Sequence, residues 1–252
     1  MAEIAIFEAG GYRYIRGPFQ YSGGVAAQPS HAIERVRFRE RPAIDDGFQA
    51  IEAYLTGLGR PLTAFCACEL RSPAPFTEEG FIAFNRVYVG TLERWGIFKD
   101  DDNPVARSNV CPEIDPPAEP VFHAFSYTVP AAEAGGAINF VNAGSADARE
   151  SAAAGESRVI RPGDTTADGM RAKARHVLDT QEERLAAFGA GWADATATQV
   201  YSVHDIHAVL ENDIQTRGAA PAGLTWFHAR PPVEGLDYEM DVRAVEVERV
   251  LG

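Results

Sequence analysis

Hydrophobic residues in this chain recur at two spacings, and the switches between them mark its elements. Runs that alternate between apolar and polar positions predict β-strands, because successive side chains of a strand point to opposite faces. Gly-Pro and Gly-Gly pairs separate the first of these runs and predict turns. In the first half of the chain the predicted strands are residues 12–16, 33–38, 62–70, 103–114 and 121–129.

Two stretches of the first half have a helical spacing instead. One covers residues 45–59, and the other begins after Thr77, a residue type that caps helix N-termini. Glu78 and Glu79 then occupy the first turn, where the helix dipole favours acids. Each helix is therefore expected to pack one face against a sheet. The predicted buried residues are Phe48, Ile51, Leu55, Leu58, Phe81, Phe84, Tyr88, Leu92 and Trp95.

The same order of elements then occurs again. Residues 55–59 and 185–189 are 130 positions apart (185 minus 55), and so are residues 62–64 and 192–194 (192 minus 62). A duplicated α+β unit accounts for this. We expect units at residues 1–133 and 137–252, each a mixed sheet with two helices packed on one face. The second unit is predicted to contain strands at 138–143, 158–161, 193–203, 224–229 and 238–247, a long helix ending at Gly189, and a short helix with Ile206 and Val209.

Composition limits the partners of the chain. The formal net charge is -13 over 252 residues, without a clustered basic face, which argues against nucleic acid or an anionic membrane. No run approaches the roughly 20 apolar residues of a membrane span, and the N-terminus lacks signal-peptide features, so a cytoplasmic protein is expected. The 3 cysteines are too few for a disulfide framework and are expected to be reduced.

The predicted strand at residues 103–114 has the most informative polar pattern. Arg107 and Asn109 fall on one face, and Ser108 and Val110 fall on the other. A fixed arginine suits a carboxylate, because a guanidinium donates two parallel hydrogen bonds where lysine offers a point charge. An anionic substrate of so acidic a protein would need such a local cation. The alternative is a surface ion pair, since most arginines are solvated and pair weakly.

Several segments resemble the reactive-intermediate deaminase family (Rid, YjgF-type). They are Gly17-Pro18-Phe19, Gly47 with its helix, Gly59 with Pro61-Leu62-Thr63, Phe84-Asn85-Arg86-Val87-Tyr88 and Pro104-Val105-Ala106-Arg107-Ser108, and the second half repeats a looser version. Residues 107–114 and 230–235 are similar to the 2-aminomuconate and 2-amino-5-chloromuconate deaminases of aromatic-degrading bacteria.

The resemblance implies two tandem chorismate-mutase-like units with active sites in clefts between units. Family members hydrolyse enamines and imines of α-amino acids to 2-oxo acids and ammonia without a cofactor. They are usually trimeric, so we expect this chain to be either a monomer or a trimer of two-unit chains.

The resemblance also implies roles for individual residues. Arg107 would bind the substrate carboxylate, and Asn85 would lie near the cleft. Phe19 stands where many members have tyrosine, and Asn109 where many have cysteine, so the family's tyrosine proton donor and its thiol have no counterpart here. Ser22 belongs to a small-residue turn that does not follow a phosphate-loop pattern, and we include it among the expected cleft residues.

The resemblance also implies an acidic residue on a strand near the end of each unit. The first unit has no carboxylate there, whereas the second has Glu239 and Asp241 on one strand face. The second unit in turn has Gly223 where the arginine would fall. We therefore expect a composite cleft with Arg107 from the first unit facing Glu239 or Asp241 from the second. A carboxyl partly buried on a strand, with a raised pKa, can transfer a proton near neutral pH.

Other polar residues are weaker candidates. Arg230 is predicted to bind the second carboxylate of a muconate, because two prolines follow it, and an ion pair with Glu234 is the alternative. Cys111 is a candidate nucleophile, since a nearby cation lowers a thiol pKa. His123 and His228 are candidates for proton transfer in the cleft, or else structural histidines.

A second pair of histidines has the spacing of one helical turn. His204 and His207 favour a surface helix over a metal site, because no third ligand has a clear place. No metal or cofactor is expected. The sequence thus predicts a cofactor-free deaminase of small amino or imino dicarboxylates of the 2-aminomuconate type. The alternative is a Rid-like protein that binds small carboxylates, or protects other proteins, without turnover.

Overall fold

Two mixed β-sheets lie face to face and carry helices on their outer faces. The computed structural model describes residues 2–131, 138–149 and 157–252. The described strands are β1 (Ile4–Phe7), β2 (Tyr12–Ile15), β3 (Gly24–Ala27), β4 (His31–Phe38), β5 (Phe65–Arg71), β6 (Ala106–Pro112), β7 (Val121–Pro130), β8 (Phe140–Ala146), β9 (Ala197–Tyr201), β10 (Leu224–Phe227), β11 (Ala229–Arg230), β12 (Glu239–Ala244) and β13 (Val247–Leu251). The described helices are α1 (Ile44–Gly57), α2 (Glu78–Arg94), α3 (Ala167–Phe188) and α4 (His207–Val209), which continues as a π-helical turn, Leu210–Ile214. The predicted α+β class is confirmed.

Each sheet combines strands from both halves of the chain. The seven-stranded sheet has the order β1-β2-β3-β8-β12-β9-β10, and the six-stranded sheet has the order β11-β6-β5-β7-β4-β13. The first three strands thus join strands of the second half, whereas β13 pairs in parallel with β4. The division into units at 1–133 and 137–252 remains a prediction, and the boundary between them falls at residues outside the described part of the chain.

The helices pack as their hydrophobic spacing predicts. On the six-stranded sheet, Phe48 of α1 makes ring contacts with Tyr88 and Trp95 at centroid distances of 5.5 and 5.3 Å. Gly47 is required there, because a Cβ would lie 2.3 Å from the Phe122 ring. Leu58 is an exception: it follows the last turn of α1 and is 51% exposed. Helix α3 covers the seven-stranded sheet with Met170, Val177, Leu178, Leu185 and Phe188, all buried.

Helix ends follow the predicted capping residues. The Thr77 side chain accepts a hydrogen bond from the Gly80 N–H at 3.0 Å and caps α2. Gly189 ends α3 at a φ of 76°, a left-handed conformation that glycine adopts without strain.

Two predicted strands begin with a turn instead, and a third is not a strand. Residues Leu62–Ala64 and Trp192–Asp194 form 3₁₀ turns that precede β5 and β9, so the same local order occurs at both places. The strand predicted at 158–161 is wrong. Arg161 has a positive φ of 48° and Pro162 follows it, so the backbone turns away, and only Val159 forms a bridge, with Ala148.

Candidate functional site

Strand β6 places polar side chains on both of its faces. The guanidinium of Arg107 lies against rings of α2, whereas the Ser108 hydroxyl donates a hydrogen bond to Asp241 Oδ2 at 2.6 Å, between the sheets. The predicted alternation along this strand is therefore confirmed. The α2 side of β6 thus carries Arg107, and the inter-sheet side carries Ser108.

Arg107 is buried, and none of the described residues forms an ion pair with it. It is 3% exposed, and its Cζ atom lies 4.9 Å from the ring centroid of Tyr88 and 5.3 Å from that of Tyr21. Phe81 and Phe84 complete the aromatic surroundings at 5.6 and 5.8 Å. Among the described residues, neither Nη1 nor Nη2 has a hydrogen-bond partner. The surface ion pair considered from sequence is therefore wrong, and an unpaired buried guanidinium is unfavourable unless a ligand pairs with it.

Two asparagines on the same side of β6 also have unpaired buried atoms. The Asn85 Nδ2 donates to the Phe81 carbonyl at 2.6 Å, but its Oδ1 has no partner in the described structure. The Asn109 Oδ1 accepts from Ser72 at 3.0 Å, but its Nδ2 has no such partner. Asn85 lies one turn from both Phe81 and Tyr88 and so shares their face of α2. Unpaired donors beside an unpaired acceptor fit a ligand with a carboxylate and a neighbouring N–H group.

The loop between β2 and β3 closes this side and is tied to the start of β6. Asn103 Nδ2 donates to the carbonyls of Phe19 and Gln20 at 3.1 and 3.0 Å. The Ser22 hydroxyl donates to the Pro104 carbonyl at 3.1 Å. The Phe19 ring lies 3.6 Å from the Arg86 guanidinium carbon. Phe19 and Ser22 thus hold the loop, and the loop residue that reaches Arg107 is Tyr21, which sequence reasoning missed because the family position expected there was 19.

The two predicted acids lie on the inter-sheet side and differ in their bonding. Asp241 accepts hydrogen bonds from Ser108, Gln199 and Tyr201 at 2.6, 2.7 and 2.8 Å. Glu239 is 3% exposed, and its carboxyl lies so close to Gly144 that a Cβ there would be 2.1 Å from Oε1. Within the described part of the chain its side chain makes no hydrogen bond.

This difference sets the electrostatics of the pair. Burial raises the pKa of Glu239 well above its usual range and Asp241 raises it further, whereas Arg71 and Arg107 oppose the rise. Burial also raises the pKa of Asp241, against the hydrogen bonds from Ser108 and Gln199. Glu239 therefore combines a raised pKa with the absence of hydrogen bonds among the described residues, whereas Asp241 is held by three hydrogen bonds.

Strand β6 separates Arg107 from these acids. The Arg107 side chain lies on one face of β6, and the side chains of Glu239 and Asp241 lie against the other face. Arg107 therefore does not directly face either acid, although the composite-cleft hypothesis expected it to. A cavity of about 10 Å³, space for about one water molecule, lies at the junction. A larger ligand must therefore displace neighbouring side chains, and Tyr21, Phe81 and Phe84 are only half-buried.

Comparisons with known proteins agree on one family. The sequence model of the 2-aminomuconate deaminase CnbZ family matches residues 4–249. The chain belongs to this family. A relative from Comamonas testosteroni, named 2-amino-5-chloromuconate deaminase, is 49% identical over 251 residues and is covered completely, as is this chain. The resemblance to the 2-aminomuconate and 2-amino-5-chloromuconate deaminases inferred from the sequence is confirmed.

One solved structure of low sequence identity shares the fold. A chorismatase has a TM-score of 0.51 at 13% identity, covering 92% of this chain and 79% of that chain. A Mycobacterium tuberculosis member of the YjgF/YER057c/UK114 family, at 22% identity, covers 44% of this chain and 84% of its own, with a TM-score of 0.29.

Among the further candidate residues of this CnbZ family member, Cys111 is buried and His123 is half-buried. Burial, followed by the charge of Glu239, raises the pKa of Cys111 to about 12, so its thiol is protonated, contrary to the lowered pKa expected of a nucleophile. Burial, followed by Arg71, lowers the pKa of His123 to about 3, so its imidazole is neutral. His123 Nε2 lies 4.0 Å from Glu69 Oε2.

The remaining candidates lie at the surface. Arg230 pairs with Glu113 rather than with Glu234, and its side chain is 41% exposed. Glu234 is exposed and bonds through its backbone N–H to the Phe76 carbonyl at 2.9 Å. His228 is also exposed, and its carbonyl accepts from the Glu113 N–H. Arg230 is therefore already paired, which weakens its predicted role as a second anion-binding group.

The two spaced histidines each pair with an aspartate. His204 Nε2 lies 3.1 Å from Asp237, and His207 Nδ1 lies 2.6 Å from Asp205. No group of three or more His, Cys, Asp or Glu side chains suited to a metal ion occurs among the described residues. No helix in the same residues is long and apolar enough to span a membrane.

Proposed function

We propose that this chain is a deaminase that hydrolyses enamine or imine acids of the 2-aminomuconate type, releasing ammonia without a cofactor. Membership of the CnbZ family and the name of the Comamonas testosteroni relative support the substrate class. The observation that carries the proposal is Arg107, a buried guanidinium whose two Nη atoms have no partner among the described residues, packed against the helix whose Asn85 Oδ1 has none there either. This is the complement of an α-amino or α-imino carboxylate.

The residues beside Arg107 would orient the substrate. Arg107 binds the α-carboxylate through Nη1 and Nη2, and the Asn109 Nδ2 donates to the same group. The Asn85 Oδ1 accepts a hydrogen bond from the amino or imino N–H. These contacts fix the reacting carbon in a surface of aromatic rings that excludes bulk water.

Proton transfer falls to Glu239. In a conjugated 2-amino diene, the amino nitrogen donates electrons along the chain, so a proton added at C3 or C5 forms a C–H bond and converts the enamine to an imine. Water then adds to C2, the carbinolamine expels ammonia, and a 2-oxo acid remains. Because protonation occurs along the chain, the acid need not lie next to the α-carboxylate. Glu239 suits this role better than Asp241, whose oxygens already accept three hydrogen bonds.

We also propose that the chain is a tandem of two units, of which only the first has the carboxylate-binding arginine, Arg107. Cys68 pairs with Arg107 between β5 and β6, and Thr198 pairs with Leu224 between β9 and β10. Since Cys68 and Thr198 are 130 residues apart, the position equivalent to Arg107 is Leu224, one residue from the Gly223 expected from sequence. The second unit would then supply the acid and not a second carboxylate-binding arginine.

Ammonia release tests the function. The purified protein, treated with a chelator and given 2-aminomuconate, is expected to release one ammonia per substrate consumed, at a rate proportional to protein concentration. Binding of the substrate without ammonia release would instead support a Rid-like carboxylate-binding protein. Loss of activity in the chelator that a metal ion restores would contradict the cofactor-free mechanism.

A further inference from the structure

The site around Arg107 is closed in this structure. Arg107 is 3% exposed, and the cavity of about 10 Å³ at its junction with the inter-sheet side has space for about one water molecule. A carboxylate with its carbon chain needs more space than this. A ligand can therefore reach the Nη atoms of Arg107 only when one of the segments that cover this residue moves aside.

The loop between β2 and β3 is the cover of Arg107 that lies outside the strands and helices. Residues 17–21, here called the cover loop, place the Tyr21 ring centroid 5.3 Å from the Arg107 Cζ. The first two of these residues are exposed and the other three are half-buried. The Tyr21 N–H donates to the Pro18 carbonyl, within the loop itself, at 3.3 Å. Strand β6 and helix α2 are held by regular backbone hydrogen bonds, so the cover loop is the segment that opens most readily.

One buried side chain, Asn103, connects the cover loop to the strand that carries Arg107. Asn103 is 1% exposed and lies just before β6. Its Nδ2 donates to the carbonyls of Phe19 and Gln20 at 3.1 and 3.0 Å, and its Oδ1 accepts from the Val105 N–H at 3.0 Å. An amide suits this position because it offers two donors and an acceptor together. Each of the two bonds to the loop favours its closed position by about 2- to 10-fold.

A second contact holds the cover loop from outside. The Arg86 Cζ lies 3.6 Å from the Phe19 ring centroid, and the Arg86 Nη1 donates to Asp101 Oδ1 at 2.6 Å. The Arg86 side chain is 52% exposed, so solvent weakens both of these contacts. The buried hydrogen bonds of Asn103 therefore contribute more to holding the loop closed.

We propose that Asn103 is a positioning residue that holds the cover loop closed over Arg107, and that a ligand enters when the hydrogen bonds of Asn103 to the loop open. This inference rests on the proposed function, in that Arg107 is the ligand-binding group, and it adds the control of access to that site. Closure returns the Tyr21 ring to the guanidinium and excludes water from the bound carboxylate. Opening and closing of the loop then set the rates of binding and release.

Binding kinetics test this proposal. The probe is trans,trans-muconate, which has the carbon skeleton of the proposed substrate and lacks the amino group. Stopped-flow fluorescence gives its association and dissociation rate constants for the wild type and Asn103→Ala. Asn212→Ala is the matched control, because Asn212 is exposed and its side chain also donates to a backbone carbonyl. We expect Asn103→Ala to raise both rate constants by about 4- to 100-fold, the product of the two lost bonds, and Asn212→Ala to change neither.

A cross-link is expected to produce the opposite change while Asn103 stays intact. In the double variant Phe19→Cys and Arg86→Cys, a short thiol-to-thiol reagent such as dibromobimane joins the cover loop to α2. The three native cysteines are buried and therefore do not compete for the reagent. The cross-linked protein should bind muconate about 10-fold more slowly, or slower still, than the same variant before cross-linking.

The outcomes separate this inference from the proposed function. Unchanged or slower association in Asn103→Ala, or equal association before and after cross-linking, would overturn the role of Asn103, even if ammonia is released. The expected kinetics without ammonia release would support the cover loop and contradict the deaminase. Absence of muconate binding by the wild type would contradict both, since both place a carboxylate at Arg107. If Asn103→Ala does not fold, as judged by thermal unfolding, the cross-linked variant decides the outcome.

Discussion

The two sides of β6 differ in how completely their buried polar groups are paired. On the inter-sheet side, Arg35 is bonded to Glu69 and Glu248, and Asp241 accepts three hydrogen bonds. On the α2 side, Arg107, Asn85 and Asn109 all have buried atoms without partners in the described structure. Both sets are buried, so burial alone does not distinguish structural from functional polar residues.

The pairing distinguishes them because the energetic consequences differ. A buried ion pair is held in place since removal of one partner leaves the other charge uncompensated. An unpaired buried group lowers stability in the absence of a ligand, and a fold keeps it where the ligand provides the missing bond. Exceptions occur on the inter-sheet side, where Arg71 Nη2 and Arg243 Nη1 have no partner in the described structure and Glu239 makes no hydrogen bond there. Of these we assign Glu239 to proton transfer, because burial also raises its pKa.

The largest effect is expected for Glu239→Gln. The amide has nearly the shape of the protonated carboxyl but cannot donate a proton, so ammonia release should slow by about 10² to 10⁴. Muconate binding should change little, because Glu239 is not the anion-binding group. The measurement is kcat for ammonia release alongside the dissociation constant for muconate. Full activity in this variant would remove Glu239 from the mechanism.

A large loss of stability is expected when a paired acid of the inter-sheet side is neutralised. Glu69→Gln removes the partner of the buried Arg35 and should lower the free energy of unfolding by about 3 to 5 kcal/mol. Urea denaturation measures this. Glu93→Gln, at an exposed position of α2, is the matched control and should stay within about 0.5 kcal/mol of the wild type. Equal effects in the two variants would mean that the inter-sheet ion pair is not structural.

Arg107→Gln should lower activity without lowering stability, unlike Glu69→Gln, which is expected to lower stability. Loss of the carboxylate-binding arginine is expected to lower kcat/KM by about 10- to 100-fold, because hydrogen bonds to the carboxylate are lost. The free energy of unfolding without ligand should stay the same or rise, since an unpaired buried charge has been removed. Kinetics and urea denaturation of the same preparation test both parts. A destabilised Arg107→Gln would show that the guanidinium has a structural partner.

Sequence patterns predicted the local features of this site and missed the long-range ones. Strand alternation placed Arg107 and Asn109 on one face, since that depends only on neighbours along the chain. The choice between Glu239 and Asp241 depended on Ser108 and Tyr201, which are distant in sequence. The crossing of β1–β3 into the other sheet had no local signal either.

The contacts of Arg71 were overlooked for a related reason. This arginine ends a predicted strand of small and apolar residues, and nothing in its neighbourhood shows that Tyr201 and Phe227 of the second half lie beside it. The offset of 130 residues aligns Arg71 with Tyr201 in the two repeats. Such an alignment shows that two positions are equivalent, but it does not show that their side chains are in contact.

The smallest effect, and the one that compares the two kinds of acid most directly, is on the pH dependence of stability. Burial would raise the pKa of Glu69, but Arg35 outweighs it and holds the pKa well below its usual range. The folded pKa of Glu239 is raised instead. Glu69 therefore contributes stability above its unfolded pKa that is lost as pH falls through the folded value. Glu239 favours folding below its unfolded pKa, and this contribution is lost as pH rises toward its raised folded pKa.

The two glutamine variants should show these opposite signs. Relative to the wild type, the free energy of unfolding of Glu239→Gln should increase as pH rises above about 4.5, by at most about 1.4 kcal/mol per pH unit for one proton. That of Glu69→Gln should become closer to the wild type as pH falls. Urea denaturation at a series of pH values measures both slopes. Parallel slopes in the two variants would mean that Glu239 is ionised in the folded protein, and an ionised Glu239 could not supply the proton that the proposed reaction requires.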